Sequence, residues 1–292
     1  MTLKEKFAEY DKKVPKQVAH LKGGDFAYRY YKNPNVEKEI TLVLLAGGSG
    51  LGEGMFYMID SFKDKYSTIT FNYPMDYKNN AVLADAIAEL LKQTGAKNIY
   101  LVGQSYGGLI AQITARRHPD IIKGLILSGT CSLSGDINFE GMKNIVEMIH
   151  PKKVSKNIKK DKHLPIFLLA PMFKLMIGRV IKDKKLAKDF AETFDICRKD
   201  LSNEYFVLMD MLLGDLATEF GSHKPEDFET FRNEVLIFFS DEDKIFCDNL
   251  KDALVRLMPD PVVKKLDGGH LAMAVDGEKY IRELDEFLAA RN

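Results

Sequence analysis

The sequence contains little cysteine: Cys131, Cys197 and Cys247 are the three in a chain of 292 residues. They lie far apart, their number is odd, and none belongs to a CxxC pair. This spacing argues against a disulfide framework and against a cysteine-based zinc site, and it is typical of proteins in a reducing compartment. We therefore expect a cytoplasmic protein.

Net charge is also absent, because 42 Lys and Arg side chains balance 42 Asp and Glu side chains. No global field favours nucleic acid or an anionic membrane surface as a partner. No uninterrupted apolar run reaches the roughly 18 residues that a membrane-spanning helix needs. Residues 1–20 lack the apolar core of a signal peptide. We expect no nucleic-acid partner and no stable membrane insertion.

The chain does contain short apolar runs that alternate with helical patterns. Strands are predicted at 39–46, 67–73, 98–103, 124–129, 234–240 and 261–265, and helices at 80–94, 106–117, 246–258 and 277–290. Continuous apolar strands that alternate with helices are typical of a parallel sheet covered on both faces. The pattern therefore predicts the α/β class, with a mostly parallel sheet and helices on both of its faces.

Residues 131–230 interrupt this alternation, because they carry helical patterns and no convincing strand. We interpret them as a helical cap inserted between two strands of a core domain that comprises residues 1–130 and 231–292. The apolar piece 165–181 either roofs an acyl pocket or forms the core of the cap itself. The lysine-rich stretch 151–163 is interpreted as a solvated face, with an anionic carrier or membrane surface as the alternative.

A candidate nucleophile lies between a predicted strand and a predicted helix, in the sequence Gly103-Gln104-Ser105-Tyr106-Gly107. This sequence matches G-x-S-x-G in the strand–turn–helix context of a nucleophile elbow. Side chains two residues before or after Ser105 would collide with the neighbouring strand and helix, so glycines flank it. The first amides of the following helix point toward developing negative charge.

A serine hydroxyl needs a base to become a good nucleophile, and six histidines are available. His270 is the candidate, because it follows Gly268-Gly269 in a loop between the last predicted strand and the last predicted helix. His118 is interpreted as a helix cap, and His20 is expected to precede the first strand.

The imidazole of a catalytic histidine must be held in one tautomer by an acid. The predicted strand 234–240 is followed by Asp241, Glu242 and Asp243. Residues that follow a parallel strand lie at the same edge of the sheet as the elbow serine, where active sites of α/β sheets form. We predict Asp243 as the acid, with Asp241 in reserve.

The order Ser105, Asp243, His270 resembles the nucleophile–acid–histidine order of the α/β-hydrolases. The chain is similar to a cap-bearing serine hydrolase of this fold, in the branch of esterases and proline iminopeptidases, over roughly residues 26–290. Ser240 stands where the family has a glycine before its acid. The resemblance implies the α/β-hydrolase fold with an inserted helical cap.

The resemblance also implies an oxyanion hole built from two backbone amides. One belongs to Tyr106, the residue after the nucleophile, and the other belongs to the loop after an early strand. The family usually has His-Gly in that loop, and this chain has Ala46-Gly47. The change removes a side chain that often braces the loop, but it leaves the backbone donors. Gly48 is the predicted second donor, and Ser49 is the alternative.

A serine nucleophile favours acyl transfer to water, so we predict hydrolysis of a small or medium acyl ester through an acyl-enzyme on Ser105. The expected partner is a small-molecule acyl substrate, and no metal or organic cofactor is implied. The alternatives are a proline-iminopeptidase-like aminopeptidase, a carbon–carbon bond hydrolase, an acyltransferase, and a small-molecule receptor without turnover. An aminopeptidase needs cap acids for the substrate amine, and the candidates are Glu140, Glu147, Glu192 and Glu204.

Overall fold

A computed structural model describes residues 2–135, 181, 183–246 and 248–291 of the chain. The lysine-rich stretch 151–163 lies outside the described residues. The apolar piece 165–181 also lies outside them, apart from Ile181.

Within the described chain, eight strands form one sheet. They are β1 Gln17–Leu21, β2 Gly24–Tyr31, β3 Thr41–Leu45, β4 Ser67–Thr70, β5 Ile99–Gln104, β6 Gly124–Ser128, β7 Val235–Phe239 and β8 Val262–Lys265. Their order across the sheet is β1-β2-β4-β3-β5-β6-β7-β8. The β1–β2 and β2–β4 pairs are antiparallel, and the remaining pairs are parallel.

The register of the parallel strands brings their carboxyl ends to one edge of the sheet. Leu45 at the end of β3 pairs with Gly103 in β5, and Gln104 at the end of β5 pairs with Ser128 in β6. Residues that directly follow β3, β5 and β6 are therefore neighbours in space. This edge is where ligands bind in open α/β sheets.

Helices cover both faces of the sheet. They are α1 Leu3–Lys13, α2 Phe56–Phe62, α3 Asn80–Thr94, α4 Tyr106–Arg117, α5 Lys184–Cys197, α6 Asn203–Asp215, α7 Asp248–Leu257, α8 Ala272–Val275 and α9 Gly277–Ala289. Short 3₁₀ turns occupy Gly52–Met55, Arg198–Asp200, Leu216–Thr218, Pro225–Phe231 and Gly269–Leu271.

The apolar side chains of β3 alternate between two hydrophobic cores, as strand geometry requires. Val43 and Leu45 pack in one core with side chains of α3, α4 and α7. Leu42 and Leu44 pack in the other with side chains of α2 and α9. A strand buried on both faces needs a continuous apolar sequence. The predicted α/β class, with a mostly parallel sheet between two helical layers, is confirmed.

Helix α3 illustrates how local sequence sets the ends of an element. The side chain of Asn79 accepts a hydrogen bond of 2.8 Å from the amide of Val82, which caps the first turn. Gly95 ends the helix with a φ of 67°, a left-handed conformation that glycine adopts without a Cβ penalty. These two caps place Asn80, the first residue of the helix, at a fixed point near the site described below.

The two antiparallel strands β1 and β2 are not among the predicted strands. The sequence pattern predicts that His20 precedes the first strand. This prediction is wrong, because His20 lies within β1. In that strand Ala19 and Leu21 are buried, whereas Val18 and His20 are exposed. Such a short alternating pattern contains no continuous apolar run, so the sequence pattern does not predict β1 as a buried strand.

The described part of segment 131–230 is helical, in agreement with its sequence pattern. It contains α5 and α6, and within the described residues its strand-like pairing is an isolated bridge between Ser134 and His223. The division into a core and a cap at these boundaries stays a prediction. No helix in the described ranges combines the length and apolar character needed to cross a membrane.

Candidate active site

Ser105 occupies the sharp turn between β5 and α4, with φ 56° and ψ −121°. A serine rarely adopts positive φ, so the turn is strained. A Cβ at Gly103 would collide with the backbone of Gly107 and Gly108 at the start of α4, and a Cβ at Gly107 would collide with the carbonyl of Leu45 in β3. The glycines therefore allow the strand, the turn and the helix to approach closely enough to form the elbow.

The structure brings the hydroxyl of Ser105 together with the imidazole of His270. Ser105 Oγ and His270 Nε2 are 3.1 Å apart, although the two residues are 165 positions apart in the chain. Gly268 and Gly269 adopt φ values of 112° and 65°, and these left-handed conformations turn the loop after β8 toward the elbow. The geometry allows Nε2 to accept the serine proton.

Asp243 lies on the other side of the same imidazole, with its Oδ2 3.0 Å from His270 Nδ1. Its side chain is 3% exposed, and Oδ1 accepts hydrogen bonds from the amides of Ile245 and Phe246 at 2.8 and 3.1 Å. Burial opposes the charge, but the His270 imidazole and the two amides outweigh it and hold the pKa of Asp243 below its usual value. An ionised carboxylate only accepts, so His270 Nδ1 donates and Nε2 is left as the acceptor.

The reserve acid, Asp241, does not reach the imidazole. Its exposed side chain pairs with Lys265 at the surface, and this hydrogen bond lowers the pKa of Asp241. Of the acids that follow β7, the structure therefore brings Asp243, and not Asp241, next to His270.

Three further residues contact His270 or the neighbouring Gly269, and the sequence pattern predicts no role for them. Gln104 donates from Nε2 to the His270 carbonyl at 3.2 Å, and the Phe246 ring centre lies 5.4 Å from the imidazole centre. Ser240 Oγ accepts a bond of 3.1 Å from the amide of Gly269. The one signal for these roles is the position of Ser240, where a serine replaces the glycine usual in α/β-hydrolases.

The two predicted oxyanion donors lie on adjacent elements. Tyr106 is the first residue of α4, so its amide has no acceptor within the helix. Gly48 lies in the loop after β3, and a Cβ built on it would meet no atom within 4 Å, which shows that it faces open space. A Cβ added to Gly47 would lie 3.5 Å from Ser105 Cβ, closer to the nucleophile than a Cβ added to Gly48.

A cavity of about 670 Å³ opens beside Ser105 and His270. Its described lining is mainly apolar and includes Leu51 and Met55, side chains of α5 and α6, and Leu271, Met273 and Ala274. Gln104, Thr193 and Ser49 add polar groups to this lining. Among the described lining residues there is no Asp, Glu, Lys or Arg. A pocket of this size and character suits an uncharged organic group.

The model of the α/β hydrolase fold family matches residues 41–165, which contain β3 to β6 and the elbow. A thermophilic esterase from Thermogutta terrifontis shares 18% sequence identity and superposes with a TM-score of 0.66 over 95% of this chain and 98% of that one. The chain has the α/β-hydrolase fold. The resemblance inferred from the elbow, acid and histidine motifs is confirmed for the fold.

A second solved structure with the α/β-hydrolase fold gives a similar superposition. A bromoperoxidase from Bacillus anthracis shares 15% identity, with a TM-score of 0.63 over 94% of this chain and 99% of that one. Identities this low establish the fold, so the reaction of this chain has to be inferred from its own residues.

One curated relative is more similar in sequence over a shorter region. A proline iminopeptidase from Thermoplasma volcanium is 28% identical over 145 residues, which cover 46% of this chain and 48% of that protein. The chain thus matches about half the length of this relative.

The cap acids that an aminopeptidase would require can be located in part. Glu192 lies on α5, 3.9 Å from Lys188, and Glu204 is exposed in the first turn of α6. Neither is among the described residues that line the cavity. Glu140 and Glu147 lie outside the described residues. Among the described residues, no group of three His, Cys, Asp or Glu side chains could hold a metal ion.

Proposed function

We propose that this protein is a serine hydrolase that cleaves a small or medium acyl ester. The observation that carries the proposal is the series Ser105 Oγ, His270 Nε2, His270 Nδ1 and Asp243 Oδ2, with contacts of 3.1 and 3.0 Å, at an apolar cavity. The series supports acyl transfer because each atom has the donor or acceptor role that the reaction requires.

In the proposed reaction, Ser105 Oγ attacks the ester carbonyl carbon while its proton moves to His270 Nε2. The carbonyl oxygen becomes an oxyanion, which accepts hydrogen bonds from the amides of Tyr106 and Gly48. His270 then gives its proton to the leaving alkoxide as the carbon–oxygen bond breaks. Water attacks the acyl-serine carbonyl carbon while His270 removes the water proton. His270 then returns that proton to Ser105 Oγ as the acyl carbon–Oγ bond breaks, which releases the carboxylic acid. Asp243 stabilises the imidazolium formed in each half of the reaction.

The lining of the cavity supports an uncharged acyl group as the substrate. The described apolar walls would stabilise a hydrocarbon chain by about 0.8 kcal/mol for each methylene removed from water. A charged substituent would find no Asp, Glu, Lys or Arg among the described lining residues to pair with, and burying an unpaired charge is costly.

An aminopeptidase is the second candidate, because the relative from Thermoplasma volcanium bears that name. The cavity chemistry favours the ester, since no Asp or Glu is among the described residues that line the cavity and could bind a substrate amine. A panel of p-nitrophenyl esters and aminoacyl arylamides separates the two candidates. We expect ester turnover, and efficient cleavage of the arylamides with weak ester turnover would favour the aminopeptidase.

A fluorophosphonate probe tests the proposal directly. We expect covalent labelling of Ser105 at neutral pH, and we expect Ser105→Ala to lose both labelling and ester turnover while it keeps the fold. Ser128→Ala, which removes a buried hydroxyl from β6, is the matched control and should keep both activities. A Ser105→Ala variant that still turns over ester would refute Ser105 as the nucleophile. A wild-type protein that is neither labelled nor active on esters would refute the serine mechanism and favour binding without turnover.

A further inference from the structure

The loop that presents Gly48 carries little conformational restraint of its own. It contains three glycines in the sequence Ala46-Gly47-Gly48-Ser49-Gly50, and Gly50 has a φ of 67°. A turn bond of 2.9 Å joins the amide of Gly50 to the carbonyl of Gly47. Glycine-rich backbone loses much entropy when it is fixed, so a precise amide position needs external restraints.

Two buried tyrosines hold the two ends of this loop. Tyr73 donates from its hydroxyl to the carbonyl of Ala46 at 2.7 Å, and Tyr205 donates to the carbonyl of Gly50 at 2.7 Å. The Gly50 carbonyl also accepts the amide of Tyr73 at 3.0 Å. These hydroxyls brace the loop from outside, in a chain where Ala46 offers no polar side chain of its own.

Helix α6 connects the loop with the other half of the oxyanion hole. Tyr205 stands in its first turn, and at its other end Leu212 accepts from Asn80 Nδ2 at 3.0 Å. Asn80 Oδ1 in turn accepts the hydroxyl of Tyr106 at 2.7 Å, and the rings of Tyr106 and Tyr73 meet edge to face at 5.6 Å. The contacts form a closed circuit. It runs from Tyr205 along α6 and through Asn80 to Tyr106, and then through Tyr73 back to the carbonyl of Gly50.

Burial keeps these hydroxyls in the donating form. It raises the pKa of Tyr205, and those of Tyr73 and Tyr106, well above the usual value for tyrosine. The Tyr205 hydroxyl also packs tightly against Gly50, because a Cβ added to Gly50 would lie 2.7 Å from it. The contact is therefore present at any pH at which an ester hydrolase of this fold would be assayed.

We propose that Tyr205 is a positioning residue for the oxyanion hole: by fixing the Gly50 carbonyl, it holds the loop that presents the Gly48 amide. This role rests on the proposed function. It is a property of this chain, because Tyr205 lies on a helix of the 131–230 segment and acts on a loop 155 positions earlier. The side chain acts through the backbone and does not itself touch the reacting atoms.

Tyr205→Phe removes one hydroxyl and keeps the ring, so it tests this role with little change in packing. We expect kcat for a p-nitrophenyl ester to fall about tenfold, less than the 10²–10³-fold that follows loss of an oxyanion donor itself. KM should change by less than about twofold, because the ground-state carbonyl depends little on the oxyanion hole. The rate constant for fluorophosphonate labelling of Ser105 should fall by the same factor as kcat.

Tyr77→Phe is the matched control. Tyr77 is also a buried residue, and its hydroxyl donates to the carbonyl of Gly24 at 3.0 Å; Gly24 is the first residue of β2 and lies outside the Ala46–Gly50 loop. Both variants lose one hydrogen bond from a tyrosine hydroxyl to a glycine carbonyl, so both should lose some thermal stability, whereas Tyr77→Phe should keep wild-type kcat.

The outcomes separate the two proposals. Wild-type kcat and labelling rate in Tyr205→Phe, or an equal loss of kcat in Tyr77→Phe, would overturn the positioning role and leave the hydrolase proposal standing. A change in KM alone would also overturn it. A wild-type protein that is neither labelled at Ser105 nor active on esters would overturn the proposed function, and the positioning role with it.

Discussion

His223 gives the free energy of unfolding a pH dependence whose size follows from the structure. Its side chain is buried, with Nδ1 2.8 Å from Ser222 Oγ and its ring stacked on Phe228 at 5.7 Å. Burial and the positive charge of Arg116 lower the pKa of His223 from 6.5 to about 4. The folded protein therefore holds this imidazole neutral over a range in which the unfolded chain protonates it.

The sign of the effect follows from proton binding. Between pH 6.5 and about 4 the unfolded state binds a proton at His223 that the folded state does not, so acid favours unfolding. One pKa unit corresponds to about 1.4 kcal/mol, so the free energy of unfolding should fall by about 3 kcal/mol across this window. Asp243 acts in the same direction at lower pH, because its lowered pKa gives stability that is lost as acid protonates the carboxylate.

Urea unfolding measured at several pH values between about 4.5 and 7.5 tests this reasoning. The wild-type protein should lose most of the 3 kcal/mol, whereas His223→Gln should be less stable at neutral pH and show a much flatter dependence. Tyr77→Phe, which removes a buried hydroxyl that does not titrate here, should keep the wild-type slope. An unchanged slope in His223→Gln would refute the assignment of this pH dependence to His223.

The remaining predictions concern the site. Asp243→Asn should lower kcat for ester hydrolysis by about 10³–10⁴-fold, because the amide no longer fixes the imidazole tautomer, whereas Asp241→Asn should keep wild-type kcat. Gly107→Ala should lower the free energy of unfolding by more than about 2 kcal/mol, since its Cβ collides with the backbone of β3, while Gly48→Ala should fold normally; chemical denaturation of both variants checks this. Phe206→Ala should enlarge the cavity and raise the ratio of kcat/KM for long over short p-nitrophenyl esters; an unchanged ratio would exclude this wall from acyl selection.

Local pattern predicts the parallel core, and it also singles out the three side chains that the structure brings together. Continuous apolar runs marked the buried strands, and Ser105, Asp243 and His270 each follow the end of one of these strands. Parallel strands end at a common edge, so residues placed after them meet without any further information. Helix α4 likewise spans 106–117, as its pattern predicts.

Other features of the fold and of the site have no comparable signal in the sequence. β1 and β2 are only partly buried, so their apolar residues form no continuous run and give a weaker signal than a buried strand does. The bond between Tyr205 and Gly50 joins residues 155 positions apart, and nothing around either residue indicates a partner. Ser240 was visible only as a departure from the α/β-hydrolase pattern, and its bond to Gly269 gives that departure a physical reason.

The backbone conformation of Ser105 lowers the stability of the fold but presents the hydroxyl for the proposed reaction. A residue with a Cβ at φ 56° costs roughly 1–3 kcal/mol compared with a relaxed backbone, and glycine would avoid most of that cost. In a population of variants selected for stability alone, glycine would therefore displace serine at position 105. With Ser105 as the nucleophile, selection for hydrolysis would keep serine at this position. The residues found at position 105 after selection for stability, or for hydrolysis, would show which of the two properties requires serine.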